Sequence, residues 1–181
     1  MQLFLAINPP NSVKDSIAMQ LEPLKKEYPY FRWVDKRNYH IALQFLGGEN
    51  DQKRAEEKIS DAVFETMQFR LFSSGADVFL KNSILAQIIF YRSKEIEELV
   101  QAVKEKFQIA GSTNYAPHLT FARYRIPAKQ QSLLIKKKIQ RFAIDFEFDV
   151  TQITLFNSVI ESENPLYEIV AEIPLYKKTL G

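Results

Sequence analysis

The chain has no cysteine and only two histidines. Without cysteine it can form no disulfide, thiolate zinc site, iron–sulfur cluster or thiol nucleophile. It also has no apolar run approaching about 18 residues, and residues 1–7 are too short and lack the basic flank of a signal peptide. We therefore expect a soluble, cytoplasmic protein that does not enter a membrane.

Two glycine-rich nucleotide-binding signatures are also absent, namely the Gly-x-x-x-x-Gly-Lys phosphate loop and the Gly-x-Gly-x-x-Gly fingerprint. ATP-driven chemistry is therefore not predicted. The formal net charge is only +2, whereas proteins that track along nucleic acids usually carry a concentrated basic stripe. A small anionic substrate, or an anionic end of a longer one, fits this charge better.

Both histidines head the same short pattern, His40-Ile41-Ala42-Leu43 and His118-Leu119-Thr120-Phe121. Side chains alternate between the two faces of a strand, so each histidine should face away from the core together with the residue two positions later. A single histidine on a strand is more often a hydrogen-bonded surface residue than a catalyst. The repeated pattern instead favours one shared site for general acid–base catalysis without a metal.

Hydrophobic periodicity predicts alternating groups of strands and helices along the chain. Predicted strands cover residues 2–7, 31–34, 40–46, 69–80, 84–91, 118–125, 142–160 and 167–175, and predicted helices cover 12–28, 51–64, 94–107 and a lysine-rich segment ending near 140. We expect the strands at 31–34 and 40–46 to pair as a hairpin. The repeated order indicates an α+β protein with internal pseudo-duplication and mostly antiparallel sheets.

No linker rich in glycine, serine or proline divides the chain, so residues 1–181 are expected to form one domain. If its two halves are related by an approximate two-fold axis, the two histidine strands meet across a cleft. Clefts between lobes are favoured ligand sites.

Several segments together resemble a known family. They are Leu3–Ile7, Arg32–Val34, His40–Gly47 and Pro117–Arg123. They resemble the 2H phosphoesterase superfamily, and more narrowly the bacterial and archaeal RNA 2',3'-cyclic phosphodiesterases, often labelled 2'-5' RNA ligases. The resemblance implies a bilobal α+β fold with helices outside and two pseudo-symmetric sheets forming a V-shaped cleft. It implies no metal and no other cofactor.

The resemblance also implies a reaction and its substrates. The family opens a 2',3'-cyclic phosphate at an RNA end and leaves a 2'-phosphomonoester. By resemblance His40 is the general acid that protonates the departing 3'-oxygen, and His118 is the general base that activates water. RNA ends of this kind, including tRNA halves in RNA processing, are the expected partners, with weak reversible 2'-5' joining as a second activity. A monomer is the default expectation.

Candidate phosphate ligands surround the second motif. Thr120 should share the face of its histidine and donate to a phosphate oxygen. Arg123 has the opposite parity, so it would approach from the strand end or brace the cleft. The first motif has Ala42 where the family has threonine, so one donor is missing. A water, Gln44 on the same face or Arg125 are the candidates to compensate for it.

Other residues near the motifs have both functional and structural interpretations. An aromatic side chain at the cleft would stack on a nucleobase, whereas most aromatics on strands belong to the core. By parity Phe45 and Phe121 should point inward, and Trp33 should pack beside the first histidine strand. The better stacking candidates are Tyr39, Tyr115 and Tyr124.

Charged runs are interpreted as solvated surfaces. Lys136–Lys138 and Lys36–Arg37 are more typical of an exposed helix face and turn than of an RNA guide. Asp145, Glu147 and Asp149 alternate along one strand face. Without nearby histidine or cysteine we expect an edge facing solvent rather than a metal site.

Two alternatives to the leading hypothesis stay open. One is a related phosphodiesterase that acts on a small cyclic nucleotide or on 2'-5' linked oligonucleotides. The other is a module that binds nucleotides or RNA ends without turnover, in which Ala42 marks the loss of chemistry.

Overall fold

A computed structural model describes residues 2–80, 83–111, 115–125, 129–159 and 166–177. These ranges contain α-helices and antiparallel sheets, which confirms the predicted α+β class. The strands are β1 (Gln2–Ile7), β2 (Arg32–Trp33), β3 (Ile41–Phe45), β4 (Phe69–Leu80), β5 (Ser83–Phe90), β6 (His118–Arg125), β7 (Glu147–Val150), β8 (Gln152–Val159) and β9 (Leu166–Pro174). The helices are α1 (Asn11–Glu27), α2 (Gln52–Ala62), α3 (Lys94–Lys106) and α4 (Lys129–Gln140).

The strands form two sheets, with the order β3-β1-β8-β9 in the first and β2-β6-β5-β4-β7 in the second. Every pairing between these strands is antiparallel. Alternation in β1 shows how the first sheet divides its two faces. Leu3 and Leu5 lie in the main core with Ile17 of α1, whereas Phe4 and Ala6 form a separate cluster on the opposite face. That opposite face is available to form a site.

Two of the helices begin at a capping side chain, and the first helix buries one face. The Asp51 side chain accepts a hydrogen bond from the Arg54 backbone N–H at 3.0 Å, which caps α2. Ser93 caps α3 in the same way. The buried face of α1 carries Lys14, Ile17, Leu21 and Leu24 at helical spacing.

Two predictions about strand partners are wrong. The expected hairpin does not form, because β2 pairs with β6 in the second sheet while β3 pairs with β1 in the first. Trp33 consequently stacks on Phe121, with ring centroids 5.7 Å apart, beside the second histidine strand and not the first. The segment predicted as one strand over 142–160 is two strands that meet at Thr151. β7 pairs with β4 in the second sheet and β8 with β1 in the first, so the chain changes sheets there.

The acidic strand lies at the edge of the second sheet, as expected. Arg70 on β4 bonds to both carboxylate oxygens of Asp149, at 2.7 and 3.1 Å, and to Glu147 at 3.1 Å. Within the described ranges, no cluster of three or more His, Asp or Glu side chains is arranged to hold a metal ion. No helix in the same ranges combines the length and the apolar character needed to cross a membrane.

Candidate active site

The two histidines lie in one cleft between the two sheets. This cavity has a volume of about 690 Å³ and is lined by side chains from both sheets. The two sheets approach each other along β3 and β6. The hydroxyl of Tyr115, which precedes the second histidine motif, donates a hydrogen bond to the carbonyl of Ala42 in the first motif at 2.7 Å. The lining residues are Lys25, Arg32, Trp33, Val34, Asp35, Arg37, Asn38, His40, Ala42, Phe45, His118, Thr120, Arg123, Leu166 and Tyr167.

The two imidazoles are held by equivalent hydrogen bonds. The Nδ1 of His40 lies 2.8 Å from the carbonyl oxygen of Asn38. The Nδ1 of His118 lies 2.8 Å from the carbonyl oxygen of Ala116. Since a carbonyl only accepts, each Nδ1 carries a proton and each Nε2 is left as the reactive nitrogen. Each ring can therefore accept a proton when neutral and donate one when charged.

A bulge at the same place in both motifs changes the alternation of the side chains. In β3, Leu5 and Ala6 of β1 face Gln44 and Ala42, so Leu43 is an extra residue. In β6, Ala86 and Gln87 of β5 face Ala122 and Thr120, so Phe121 is extra. In each motif the extra residue is the third after the histidine. Beyond a bulge the strand resumes with its faces exchanged.

The bulges bring two residues into the cleft that simple parity excluded. Arg123 lines the cleft with His118 and Thr120, although its odd spacing from His118 predicts the opposite face of the strand. Phe45, five residues after its histidine as Arg123 is after His118, also lines the cleft and is 52% exposed. The prediction that Phe45 points inward is therefore wrong, whereas Phe121 is fully buried as predicted.

Thr120 is oriented by a side chain on the neighbouring strand. The Gln87 side-chain amide donates to the Thr120 hydroxyl oxygen at 3.3 Å, and Gln87 is 8% exposed. Because this bond uses the hydroxyl as an acceptor, the Thr120 proton remains available for a ligand in the cleft. In the first motif Ala42 lines the cleft at the corresponding position and offers no donor.

Aromatic side chains surround the His40 ring. Its ring centroid is 5.2 Å from that of Phe4, 6.0 Å from Phe156 and 4.8 Å from Tyr167. Desolvation by these neighbours lowers the pKa of His40 to about 4, and the positive charges of Lys14 and Arg123 act in the same direction. The hydrogen bond to Asn38 opposes this shift without cancelling it. Without a ligand, His40 is neutral at pH 7.

This shift predicts a specific loss of stability in acid. Between pH 6.5 and 4 the unfolded chain binds a proton at His40 that the folded protein does not, so the free energy of unfolding falls as pH decreases. The expected loss is up to about 3 kcal/mol. Denaturant unfolding of the wild type and of His40→Gln at about pH 7 and about pH 4.5 measures it. The variant should lose less stability than the wild type, and an equal loss in both would contradict the low pKa.

Other predicted site residues lie away from the cleft lining. The Gln44 amide donates to the Phe45 carbonyl at 2.8 Å, and Arg125 pairs with Ser83 at the end of β6. Tyr39 is 4% exposed. Tyr124 stacks on Phe31 with ring centroids 5.0 Å apart. The Tyr115 hydroxyl is already hydrogen-bonded to the Ala42 carbonyl of the first motif. The geometry gives no support to stacking by these three tyrosines.

Three residues that sequence reasoning did not single out belong to the site or support it. Gln87 orients Thr120, and Tyr167 lines the cleft beside His40. Lys14 is 7% exposed and donates to the Arg37 carbonyl at 3.3 Å, next to the turn that anchors His40. A signal for Lys14 existed, because a lysine in the 14-17-21-24 spacing interrupts an apolar helix face.

The charged runs behave mostly as solvated faces. Lys36 pairs with Asp15 at 2.5 Å, Lys138 pairs with Glu27, and Lys136 lies 3.7 Å from Asp77. Arg37 is the exception, since it lines the cleft while its guanidinium bonds to both oxygens of Asp35 at 3.0 Å.

Comparison with known proteins places this chain in a family. The chain is 29% identical over 179 residues to the RNA 2',3'-cyclic phosphodiesterase of Methanocaldococcus jannaschii, covering 95% of this chain and 99% of the relative. It is 28% identical over 180 residues to the protein of the same name from Archaeoglobus fulgidus, covering 93% and 97%.

Solved structures share the fold. The crystal structure of the protein TT0787 from Thermus thermophilus aligns with a TM-score of 0.73 at 21% identity and covers 99% of this chain and 100% of that one. Escherichia coli LigT complexed with 3'-AMP aligns with a TM-score of 0.69 at 18% identity, covering 96% of each chain. A family model described as the 2'-5' RNA ligase superfamily matches residues 13–159. The chain therefore belongs to the 2'-5' RNA ligase superfamily, the group of 2H phosphoesterases that its two histidine motifs resemble.

Proposed function

We propose that this protein hydrolyses 2',3'-cyclic phosphate ends of RNA to 2'-phosphomonoesters by acid–base catalysis with His40 and His118. The observation that carries the proposal is the pair of imidazoles in one cleft, each with Nδ1 on a carbonyl and Nε2 free to react. Thr120 and Arg123 lie in the same cleft and supply donors for an anion. The names of the archaeal relatives support the same substrate.

In the proposed reaction His118 takes a proton from water while the water oxygen attacks phosphorus. The bond from phosphorus to the 3'-oxygen breaks, and His40 gives its proton to that oxygen. The product keeps the bond to the 2'-oxygen. The two imidazoles then return to their starting protonation states by exchange with solvent.

The lowered pKa of His40 sets a condition on this order of roles. A neutral His40 suits a proton acceptor, so the donor role requires the substrate to restore its proton. The phosphate anion does this, because a negative charge within about 4–6 Å favours the imidazolium form. The substrate thus charges its own general acid when it binds.

Arg123 should contribute through the charge of the phosphate. The guanidinium offers several donors to anionic oxygens, and removing one preorganised donor costs about 10² or more in rate. We expect Arg123→Ala to lower kcat/KM by about 10². Arg125→Ala, two residues later on the same strand but outside the cleft, is the matched control and should stay within about threefold of the wild type. Steady-state kinetics on a 2',3'-cyclic nucleotide measure both, and equal losses would contradict a direct role for Arg123.

A substrate panel tests the proposed function against its alternatives. The purified protein is given an RNA oligonucleotide with a 2',3'-cyclic phosphate, a 3',5'-cyclic nucleotide and a 2'-5' linked dinucleotide. Fastest turnover of the first supports the proposal, whereas preference for either of the others assigns a different phosphodiesterase. Tight binding without turnover of any assigns the binding module. Incubation of paired tRNA halves tests the proposed 2'-5' joining separately.

A further inference from the structure

The first motif lacks a hydroxyl that the second motif has. Ala42 and Thr120 both stand two residues after a histidine, and both line the cleft. A phosphate held between the two histidines therefore meets a donor from the second sheet and a methyl group from the first. A nearby donor on the first sheet would supply the missing hydrogen bond to the phosphate.

Tyr167 on β9 is placed to be that donor. Its ring meets the His40 ring edge-on at 4.8 Å between centroids, and the Phe4 ring at 5.3 Å. β9 lies three strands away from β3 in the first sheet, with neighbouring strands about 4.8 Å apart. Only a long side chain can reach His40 from there. Tyr167 does so across the cleft face of the sheet, where its ring packs against the Phe4 ring.

The hydroxyl of Tyr167 is not used within the described part of the chain. The residue makes ring contacts with its aromatic neighbours, and its phenol has no hydrogen-bond partner among the described residues. Arg123, from the opposite sheet, is close enough for its charge to act on the phenol. The tyrosine is thus near both the first histidine and a cationic candidate phosphate ligand.

We propose that the Tyr167 hydroxyl donates a hydrogen bond to a non-bridging phosphate oxygen and replaces the donor that Ala42 cannot supply. This inference rests on the proposed function and names a further substrate-contacting residue for it. Burial raises the pKa of Tyr167, so the phenol keeps its proton at neutral pH. Thr120 and Arg123 then bind the phosphate from the second sheet, and Tyr167 binds it from the first.

A double-mutant cycle with Tyr167→Phe and Ala42→Thr tests the replacement. Phenylalanine keeps the ring against Phe4 and His40 and removes only the hydroxyl. Tyr167→Phe should lower kcat/KM by about 10–10², in the range for one preorganised donor. Ala42→Thr alone should change it less than about threefold, because the donor is already present. In the Ala42→Thr background, Tyr167→Phe should cost less than about fivefold.

Tyr124→Phe is the matched control, because this tyrosine stacks on Phe31 away from the cleft lining. It should leave kcat/KM unchanged within about twofold. The proposal is overturned if Tyr167→Phe behaves like this control. It is also overturned if the loss is the same with and without Ala42→Thr, since the two hydroxyls would then act independently.

A binding measurement separates failure of this inference from failure of the proposed function. Calorimetric titration with a nucleoside 2'-monophosphate needs no turnover. Tyr167→Phe should weaken this binding by about 10-fold or more, as expected for a hydrogen bond to a charged group. Unchanged binding overturns the assignment of Tyr167. Weakened binding in a protein that turns over no cyclic phosphate supports the assignment while the proposed reaction fails.

Discussion

Replacing either histidine should lower kcat/KM for a 2',3'-cyclic phosphate by about 10²–10⁴, the usual contribution of a positioned acid or base. His118→Ala removes the group that takes a proton from water, and His40→Ala removes the group that protonates the leaving oxygen. Binding of the product should weaken much less, because Thr120 and Arg123 remain in the cleft. Steady-state kinetics and calorimetry on the same preparations measure the two effects.

The controls separate chemistry from folding. His40→Ala opens space between Phe4 and Tyr167, so His40→Gln is needed as a variant that fills the site. Both should lose turnover alike. The two histidines act on one transition state, so the double variant should lose little more than the poorer single variant. Turnover retained by either single variant would contradict the two-histidine mechanism.

A substrate with sulfur in place of the bridging 3'-oxygen should distinguish the acid from the base. A thiolate leaves without a proton because thiols are far more acidic than alcohols. With this substrate, His40→Ala should recover to within about tenfold of the wild type, a gain of at least about tenfold relative to its loss on the oxygen substrate. His118→Ala should gain nothing, since water still needs its base.

The opposite pattern would exchange the two roles. If His118→Ala recovers and His40→Ala does not, then His40 is the base, in keeping with its low pKa in the absence of ligand. An equal response of both variants would contradict any division into acid and base. A pH profile alone does not decide the matter, because kcat/KM depends on the same two pKa values in either assignment.

The motif histidines show what sequence alone can establish. Their spacing, their apolar neighbours and the identity of Thr120 predicted a shared site and the face that each histidine would occupy. These are local properties of a strand with period two. Arg123 and Phe45 could not be placed this way, because one extra residue in each strand exchanges the faces beyond it, and neither bulge contains a glycine or proline to mark it.

The local sequence pattern could not predict which strands pair with one another. β2 and β3 are separated by a short turn, yet they belong to different sheets, and the chain changes sheets again at Thr151. Alternation predicts that a segment is a strand but not which strand it will pair with. Tyr167 was missed for the same reason, since its distance from His40 depends on the order of four strands in the first sheet.

The most direct test of the proposed function is incubation of the purified protein, in EDTA, with a short RNA ending in a 2',3'-cyclic phosphate. The products are resolved into 2'- and 3'-monophosphates. We expect complete conversion to the 2'-phosphate without added metal, and a rate lower by about 10²–10⁴ with His118→Ala. A 3'-phosphate product, or turnover only when a divalent metal is restored, would contradict the mechanism.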